Sequence, residues 1–243
     1  MANIEDTVKG IILAGGTGSR LYPLTKVTNK HCLPVADKPM IYYAVDKMID
    51  AGIKKILIVT GIEHIGSLVG LLGSGKEFGC EFTYRVQDEA GGIAQALYLA
   101  KDFVSGHKSL VILGDNIFET SIKESVQAFL SSNFGAQLFL SKVHDPERFG
   151  VPTIDGDKIT KITEKPTQPD SMYAVTGIYM YDQRVFDFIE NCKPSLRGEL
   201  EITDVNNAYV KLNDCSFSIL NGWWTDAGTM ESLSKATELV KKL

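Results

Sequence analysis

The chain has 243 residues, with 25 Lys+Arg against 30 Asp+Glu, a formal net charge of −5 and 44% hydrophobic residues. A length between one and two times the ~150 residues of a usual domain supports a sizeable core without disulfide or metal staples. Composition and mild acidity exclude a disordered chain and a nucleic-acid-coating protein, and leave room for one basic pocket that takes a phosphorylated small molecule.

Met1 to Lys9 lacks the basic start and apolar core of a secretory signal, and no segment approaches the ~20 apolar residues of a membrane span. Cys32, Cys80, Cys192 and Cys215 form no CxxC and no metal-like pairing with histidine. They read as free thiols in a reducing compartment, so the cytoplasm is the expected location.

Gly10 to Ala14 reads as a strand buried on both faces, running directly into the glycine-rich stretch Gly15 to Gly18. Pro39 to Ala51 carries a helical stripe at Ile41, Val45, Met48 and Ile49, ended by Gly52. Lys55 to Thr60 is a second buried strand, Ile65 to Leu72 a helix, Phe82 to Val86 a strand and Ile93 to Phe103 a helix. Leu110 to Leu113 is a strand that stops at Gly114-Asp115-Asn116, and Ile122 to Leu130 is a helix. Strand, crossover helix, strand is the signature of an α/β fold with a mixed, mostly parallel sheet covered on both faces.

The second half changes character. Ala136 to Val143, Ile159 to Ile162 and Tyr173 to Tyr181 read as strands, Val185 to Ile189 as a short helix and Ile202 to Leu212 as a longer one. Phe217 to Leu220 is a late strand and Met230 to Leu243 a terminal helix. No linker, charge block or repeat separates the halves, so one domain over residues 1–243 is expected.

Chemistry concentrates after the first strand. Closely spaced glycines at 15, 16 and 18 let backbone N–H groups approach a phosphate, and Arg20 adds a bidentate donor. A tight connection is the bland alternative. The dinucleotide fingerprint fails, because Leu21 takes its third glycine position and the next strand ends without an acid. Gly70 to Lys76 mimics a Walker A loop but has Glu77 where Ser or Thr must hold magnesium, so it reads as a helix-ending turn.

Lys30 could reach the same phosphates, or be a solvated loop lysine. The histidines lack ligand spacing, so zinc is not expected. Asp115 stands at the carboxyl edge of a buried strand, a natural place for a magnesium ligand, and Asp226 is a second candidate in a turn beneath two aromatics. Helix capping is the competing reading for each. Glu164 beside Lys165 suits a sugar hydroxyl and a phosphate, or is an exposed ion pair. The acids from Glu199 to Asp204 are partly explained as helix-start residues.

Taken in order, GIILAGGTGSRL (Gly10 to Leu21), KPMI (Lys38 to Ile41), Gln87, GGIAQA (Gly91 to Ala96) and LGDN (Leu113 to Asn116) resemble the sugar-nucleotide pyrophosphorylases. DPERFG (Asp145 to Gly150), EKP (Glu164 to Pro166), YAVTG (Tyr173 to Gly177), GELEITD (Gly198 to Asp204) and WTDAGT (Trp224 to Thr229) narrow the resemblance to the glucose-1-phosphate thymidylyltransferase branch, in a short-chain form. The likeness runs from Lys9 to the terminal helix. It implies a three-layer αβα, Rossmann-like fold of the nucleotide-diphospho-sugar transferase type, with a nucleotide half at about 8–135 and a sugar half at about 136–243.

The resemblance further implies transfer of a thymidylyl group from dTTP to α-D-glucose 1-phosphate, with Mg²⁺ as cofactor and a homo-oligomer, dimer or tetramer, as the working form. Gly15, Gly16 and Gly18 would hold the nucleotide phosphates, Arg20 the departing pyrophosphate and Lys30 the triphosphate. Leu13, Gln87 and Gly92 would surround the thymine. Asp115 and Asp226 would hold the metal, and Lys165 the sugar phosphate, while Asn116, Gly150, Glu164 and Val175 line the sugar. No nucleic-acid or membrane partner is implied.

Two departures stand out. Lys30 is followed by His31-Cys32 where long-chain members have Gln-Leu, which removes a nucleotide contact from that glutamine. The chain also stops at Leu243, without the C-terminal helical extension of those members, so weak or altered feedback by dTDP-rhamnose is expected. Pro152 is an unusual strand residue beside the sugar loop. Uridylyl or cytidylyl transfer, another hexose 1-phosphate, or a non-catalytic sugar-nucleotide sensor are the rival readings; one methyl on the base is worth only about 1–3 kcal/mol.

Overall fold

The computed structural model describes residues 4–242. A short helix α1 (Ile4–Thr7) leads into β1 (Val8–Ala14), followed by 3₁₀ turns at Ser19–Leu21, Leu24–Lys26 and Lys30–Cys32. Then come β2 (Pro34–Val35), β3 (Lys38–Pro39), α2 (Met40–Asp50), β4 (Lys55–Gly61), α3 (Ile65–Leu72) and β5 (Glu81–Gln87). The first half closes with α4 (Ile93–Tyr98), α5 (Lys101–Val104), β6 (Lys108–Leu113), β7 (Asn116–Phe118) and α6 (Lys123–Ser131). The second half holds β8 (Ala136–Lys142), β9 (Gly150–Asp155), β10 (Lys158–Glu164), β11 (Tyr173–Tyr181) and α7 (Arg184–Glu190). It ends with α8 (Ile202–Lys211), β12 (Cys215–Ile219), β13 (Trp224–Asp226) and α9 (Met230–Val240).

Nine strands form one mixed sheet in the order β10-β9-β11-β6-β1-β4-β5, with β8 branching from β11 and carrying β12. The run β6-β1-β4-β5 is parallel, while β11 joins it antiparallel through β6. Alternation along β1 explains why both faces are covered. Ile11 and Leu13 enter one core with Leu57, Leu97, Tyr181 and Tyr209, whereas Val8, Ile12 and Ala14 enter the other with Ile41, Met48 and Phe129. This is the three-layer arrangement. Ile11 and Ile12 are 0% exposed, so truncating either to alanine costs about 2–5 kcal/mol.

Several local expectations need correction. The stretch from Ile93 is two short helices, with the Ala100 N–H closing a turn onto the Leu97 carbonyl at 2.9 Å. Ala96, Leu97, Ala100 and Val104 still share one buried face, which is why the periodicity reads as continuous. Asp226 lies on β13, not in a turn: β13 pairs antiparallel with β7, setting Asp226 opposite Asn116 and Trp224 opposite Phe118. Pro152 does sit in a strand. Its strand β9 pairs along its length with β10 but with β11 only at Gly150, so the missing N–H is tolerated. The stretch Gly70 to Lys76 holds the last residues of α3 and the turn that ends it, with Gly73 at φ 57° and a 3₁₀ turn opening at Lys76. The terminal helix ends at Val240, and Leu243 lies outside the described residues.

Candidate active site

The carboxyl ends of the parallel strands open onto a cavity of about 820 Å³. This is where an open α/β sheet leaves backbone ends free to reach a ligand. From the first half of the chain, Leu13, Gly15, Gly16, Arg20, Lys30, Gln87, Gly92, Asp115 and Asn116 line it. From the second half come Gly150, Glu164, Lys165, Val175 and Asp226. Gly18 does not reach the cavity. With φ 63° it caps the turn that carries Arg20, and a Cβ there would meet the Thr25 side chain at 2.8 Å. Its part is backbone shape.

The carboxylates are brought together by main-chain ties. The Gly114 N–H donates to the Leu13 carbonyl at 2.9 Å, and the Ala227 N–H to the Asp115 carbonyl at 2.8 Å. The first joins the ends of β6 and β1; the second draws the end of β13 onto Asp115. A Cβ on Gly228 would lie 3.5 Å from Asp115 Oδ2, 3.7 Å from Asp226 Oδ2 and 3.2 Å from an Arg20 Nη atom. Both acids and the arginine therefore converge on one gap that glycine keeps open.

Electrostatics separates the two acids. Lys30 Nζ lies 2.5 Å from Asp115 Oδ2, each side chain only 13% exposed. Burial opposes ionisation of Asp115, but the Lys30 charge and hydrogen bonds from Lys30 and Asn116 hold its carboxyl well below the usual range. Asp226 is pushed the other way, to about 6, by burial and then by Asp115, with Arg148 and Arg20 opposing. Like charges across a gap divide in this way when one has a tightly bonded cation and the other only looser ones.

Two polar side chains serve the frame. Asn116 Oδ1 accepts the Gly177 N–H and Trp224 Nε1–H, both at 2.8 Å, while its Nδ2 donates to Asp115 Oδ1 at 3.1 Å. Its amide is committed to protein partners, although the residue borders the cavity. His31 is 1% exposed and its Nδ1 lies 2.7 Å from Asn29 Oδ1. Burial, then the Lys30 charge, lowers its pKa to about 3, so it is a neutral packing residue beneath Gly114.

On the wall from the second half, Lys165 has φ 43°, a left-handed backbone rare outside glycine, locked by its N–H donating to the Phe149 carbonyl at 2.9 Å. Its Nζ lies 3.5 Å from Glu164 Oε1. Glu164 Oε2 accepts the Thr203 hydroxyl at 2.6 Å, which aims the carboxylate into the cavity. At the end of β5, Gln87 Nε2 donates to Gln95 Oε1 at 2.7 Å and to the Gly92 carbonyl at 3.3 Å, and its Oε1 borders Gly15. Gly92 has φ 95°, and a Cβ there would strike the Leu200 carbonyl at 2.6 Å.

Sequence reasoning missed Arg197, Arg148, Tyr179 and Trp224, which also line the cavity. Arg197 was visible as the one base opening an acidic run. Two acids of that run are its partners, Glu201 Oε2 at 2.8 Å and Glu199 Oε2 at 3.8 Å, and Glu164 Oε1 from the end of β10 lies at 3.6 Å. Glu201 is the N-cap of α8 but makes no side-chain cap bond, so capping does not account for it.

The chain is similar to known proteins over nearly its whole length. A glucose-1-phosphate thymidylyltransferase of Neisseria gonorrhoeae is 44% identical over 238 residues, covering 96% of this chain and 83% of the relative. One from Mycobacterium tuberculosis is 38% identical, covering 97% and 83%. A Bacillus anthracis protein assigned as a glucose-1-phosphate thymidylyltransferase, solved with sucrose, superposes at TM-score 0.94 with 58% identity over 98% of this chain and 96% of that one. A UDP-glucose pyrophosphorylase in complex with UDP-glucose superposes at 0.86 with 25% identity over 97% and 99%. The family model for nucleotidyl transferases matches residues 9–242, which spans both sides of the cavity, and the chain belongs to that family.

Proposed function

We propose that the chain transfers the thymidylyl group of dTTP to α-D-glucose 1-phosphate, giving dTDP-glucose and pyrophosphate. The observation that carries the reading is a single cavity lined by cations from both halves, Arg20 and Lys30 opposite Arg148, Lys165 and Arg197, around Asp115 and Asp226. Such an arrangement suits two phosphorylated substrates meeting. The thymidylyl choice is supported by relatives of that name at 38–44% identity.

An oxygen of the sugar phosphate attacks the α-phosphorus, and the α–β bridging bond breaks with its electron pair leaving on pyrophosphate. The nucleophile is already an anion, so no general base is required. Positioning and charge neutralisation dominate. In this reading Lys165 and Arg197 hold the attacking phosphate, Arg20 and Lys30 take the triphosphate, and Gln87 presents its amide to the base. Glu164 and Val175 border the sugar.

The gap over Gly228, with two carboxylate oxygens about it, suits a hard divalent cation, Mg²⁺ in this reading, held by Asp115 and Asp226. When bound it supplies positive charge at the nucleotide phosphates. A cytoplasmic homo-oligomer, dimer or tetramer, completes the reading by family likeness.

A uridylyl reading draws on the likeness to the UDP-glucose pyrophosphorylase, at lower identity. The deciding experiment is pyrophosphate release from glucose 1-phosphate with dTTP, UTP, CTP, ATP and GTP in turn, with Asp115→Asn as control. Turnover led by dTTP and lost in the variant is expected. Release led by UTP overturns the base assignment, and no release with any nucleotide overturns the enzyme reading for this sugar phosphate.

A further inference from the structure

Arg148 belongs to the 3₁₀ turn Pro146–Arg148, on the connection between β8 and β9. Its Nη1 donates to Asp145 Oδ2 at 2.7 Å, a tight bond within the same loop. Its Nη2 lies 3.5 Å from both Oδ1 and Oδ2 of Asp226, 78 residues away. The guanidinium also covers the Phe149 ring at 5.2 Å, and Phe149 packs edge-on against Trp224 at 5.3 Å. Trp224 lies two residues before Asp226 on β13, so loop and strand are held in register by an aromatic contact independent of charge.

Each carboxylate at the Gly228 gap thus has a cation of the chain's own: Lys30 tightly on Asp115, Arg148 loosely on Asp226. With Asp145 on Arg148 and Arg20 at the same gap, three acids and three bases balance, which removes the net field that would draw in a free metal ion. Two carboxylates are also too few donors for an ion that takes about six oxygens. Among the described residues no group of three or more His, Cys, Asp and Glu side chains is placed to hold a metal. No third side chain of those types completes the set among the described residues, and nucleotide phosphate oxygens and water are the donors that suit the rest.

We infer that Arg148 is the resident counter-cation of Asp226, balancing the carboxylate and keeping its hold on a divalent cation weak until nucleotide phosphates add their oxygens. The inference rests on the reading of Asp115 and Asp226 as the metal carboxylates. Arg148 acts through Asp226 and is a positioning residue. Its anchor on Asp145 makes the exchange cheap, because the guanidinium keeps a full partner when Asp226 turns away.

The test is Mn²⁺ binding to the full chain, followed by the electron paramagnetic resonance of free Mn²⁺, with and without dTTP. Arg148→Met is expected to bind Mn²⁺ about 3- to 10-fold more tightly than the parent without nucleotide. Added KCl narrows that gap, as screening requires. Arg148→Lys stays near the parent because it keeps the charge. Equal or weaker binding by Arg148→Met, in a variant that melts cooperatively, overturns the inference; if that variant does not fold, Arg148→Gln carries the same test. Mn²⁺ binding that Asp226→Asn leaves unchanged overturns the metal reading itself, whatever Arg148→Met does.

Discussion

Lys30 and Asp115, 85 residues apart in the chain, meet at 2.5 Å in the wall of the cavity. The pair joins the turn after the glycine-rich loop to the end of β6, and neither group has another ion-pair partner within reach among the described residues. Removing one side of such a pair leaves a buried charge uncompensated. Lys30→Met is therefore expected to lose about 3–5 kcal/mol of stability in urea melts with chelator present. The double variant with Asp115→Asn should lose clearly less than the sum of the two single changes. Additive losses would show that the two groups do not act as a pair.

The raised pKa of Asp226, about 6 against an ordinary 3.8, has a defined sign. Between those values the folded chain binds more protons than the unfolded one, so this group's contribution is full below 3.8 and is lost as pH rises through 6. Metal-free protein should therefore lose melting temperature from pH 4.5 to pH 7 more steeply than Asp226→Asn does. At pH 7.5 that variant should be about 1–2 kcal/mol more stable than the parent and inactive in pyrophosphate release. Parallel pH profiles for the two proteins would remove Asp226 as the cause.

Asn116 satisfies Trp224 Nε1 and the Gly177 N–H with one oxygen. Asn116→Ala leaves both donors buried without a partner and should cost about 2–4 kcal/mol. Trp224 is 8% exposed, so its loosened indole should also shift the fluorescence maximum to longer wavelength. A melt within 0.5 kcal/mol of the parent, roughly the scatter of surface changes, would contradict this account.

Lys165 holds a left-handed backbone at φ 43° that glycine adopts freely. Lys165→Gly should relieve strain of about 1 kcal/mol, raising stability, and reduce kcat/KM at least about 100-fold through loss of the phosphate cation. Lys165→Met should lose the same activity without the gain. If glycine and methionine melt alike, the backbone is not strained at this position.

Much of the fold was legible in the residues because it is local. The buried runs Gly10 to Ala14, Lys55 to Thr60 and Leu110 to Leu113 each appear as a strand, and the stripe Ile41, Val45, Met48 as α2. Misreadings fall where local signal is thin. β7 and β13 are three residues each and exist because they pair with one another, and β9 carries both a glycine and a proline.

The sequence by itself determined the alternation of strand and helix, the glycine-rich turn after β1 and the ordered motifs that identify the family, because spacing and residue type alone express them. Fourteen of the fifteen expected site residues reach one cavity, and only Gly18 stands behind it. Tertiary structure alone decided the charge pairing: Lys30 with Asp115, Arg148 with Asp226, and Arg197 among Glu164, Glu199 and Glu201. The interaction of two charges depends on their separation in space and on how much water lies between them. For Arg148 and Asp226 that separation is 3.5 Å across 78 residues of chain, a closeness created by β13 pairing with β7 and by Phe149 packing on Trp224.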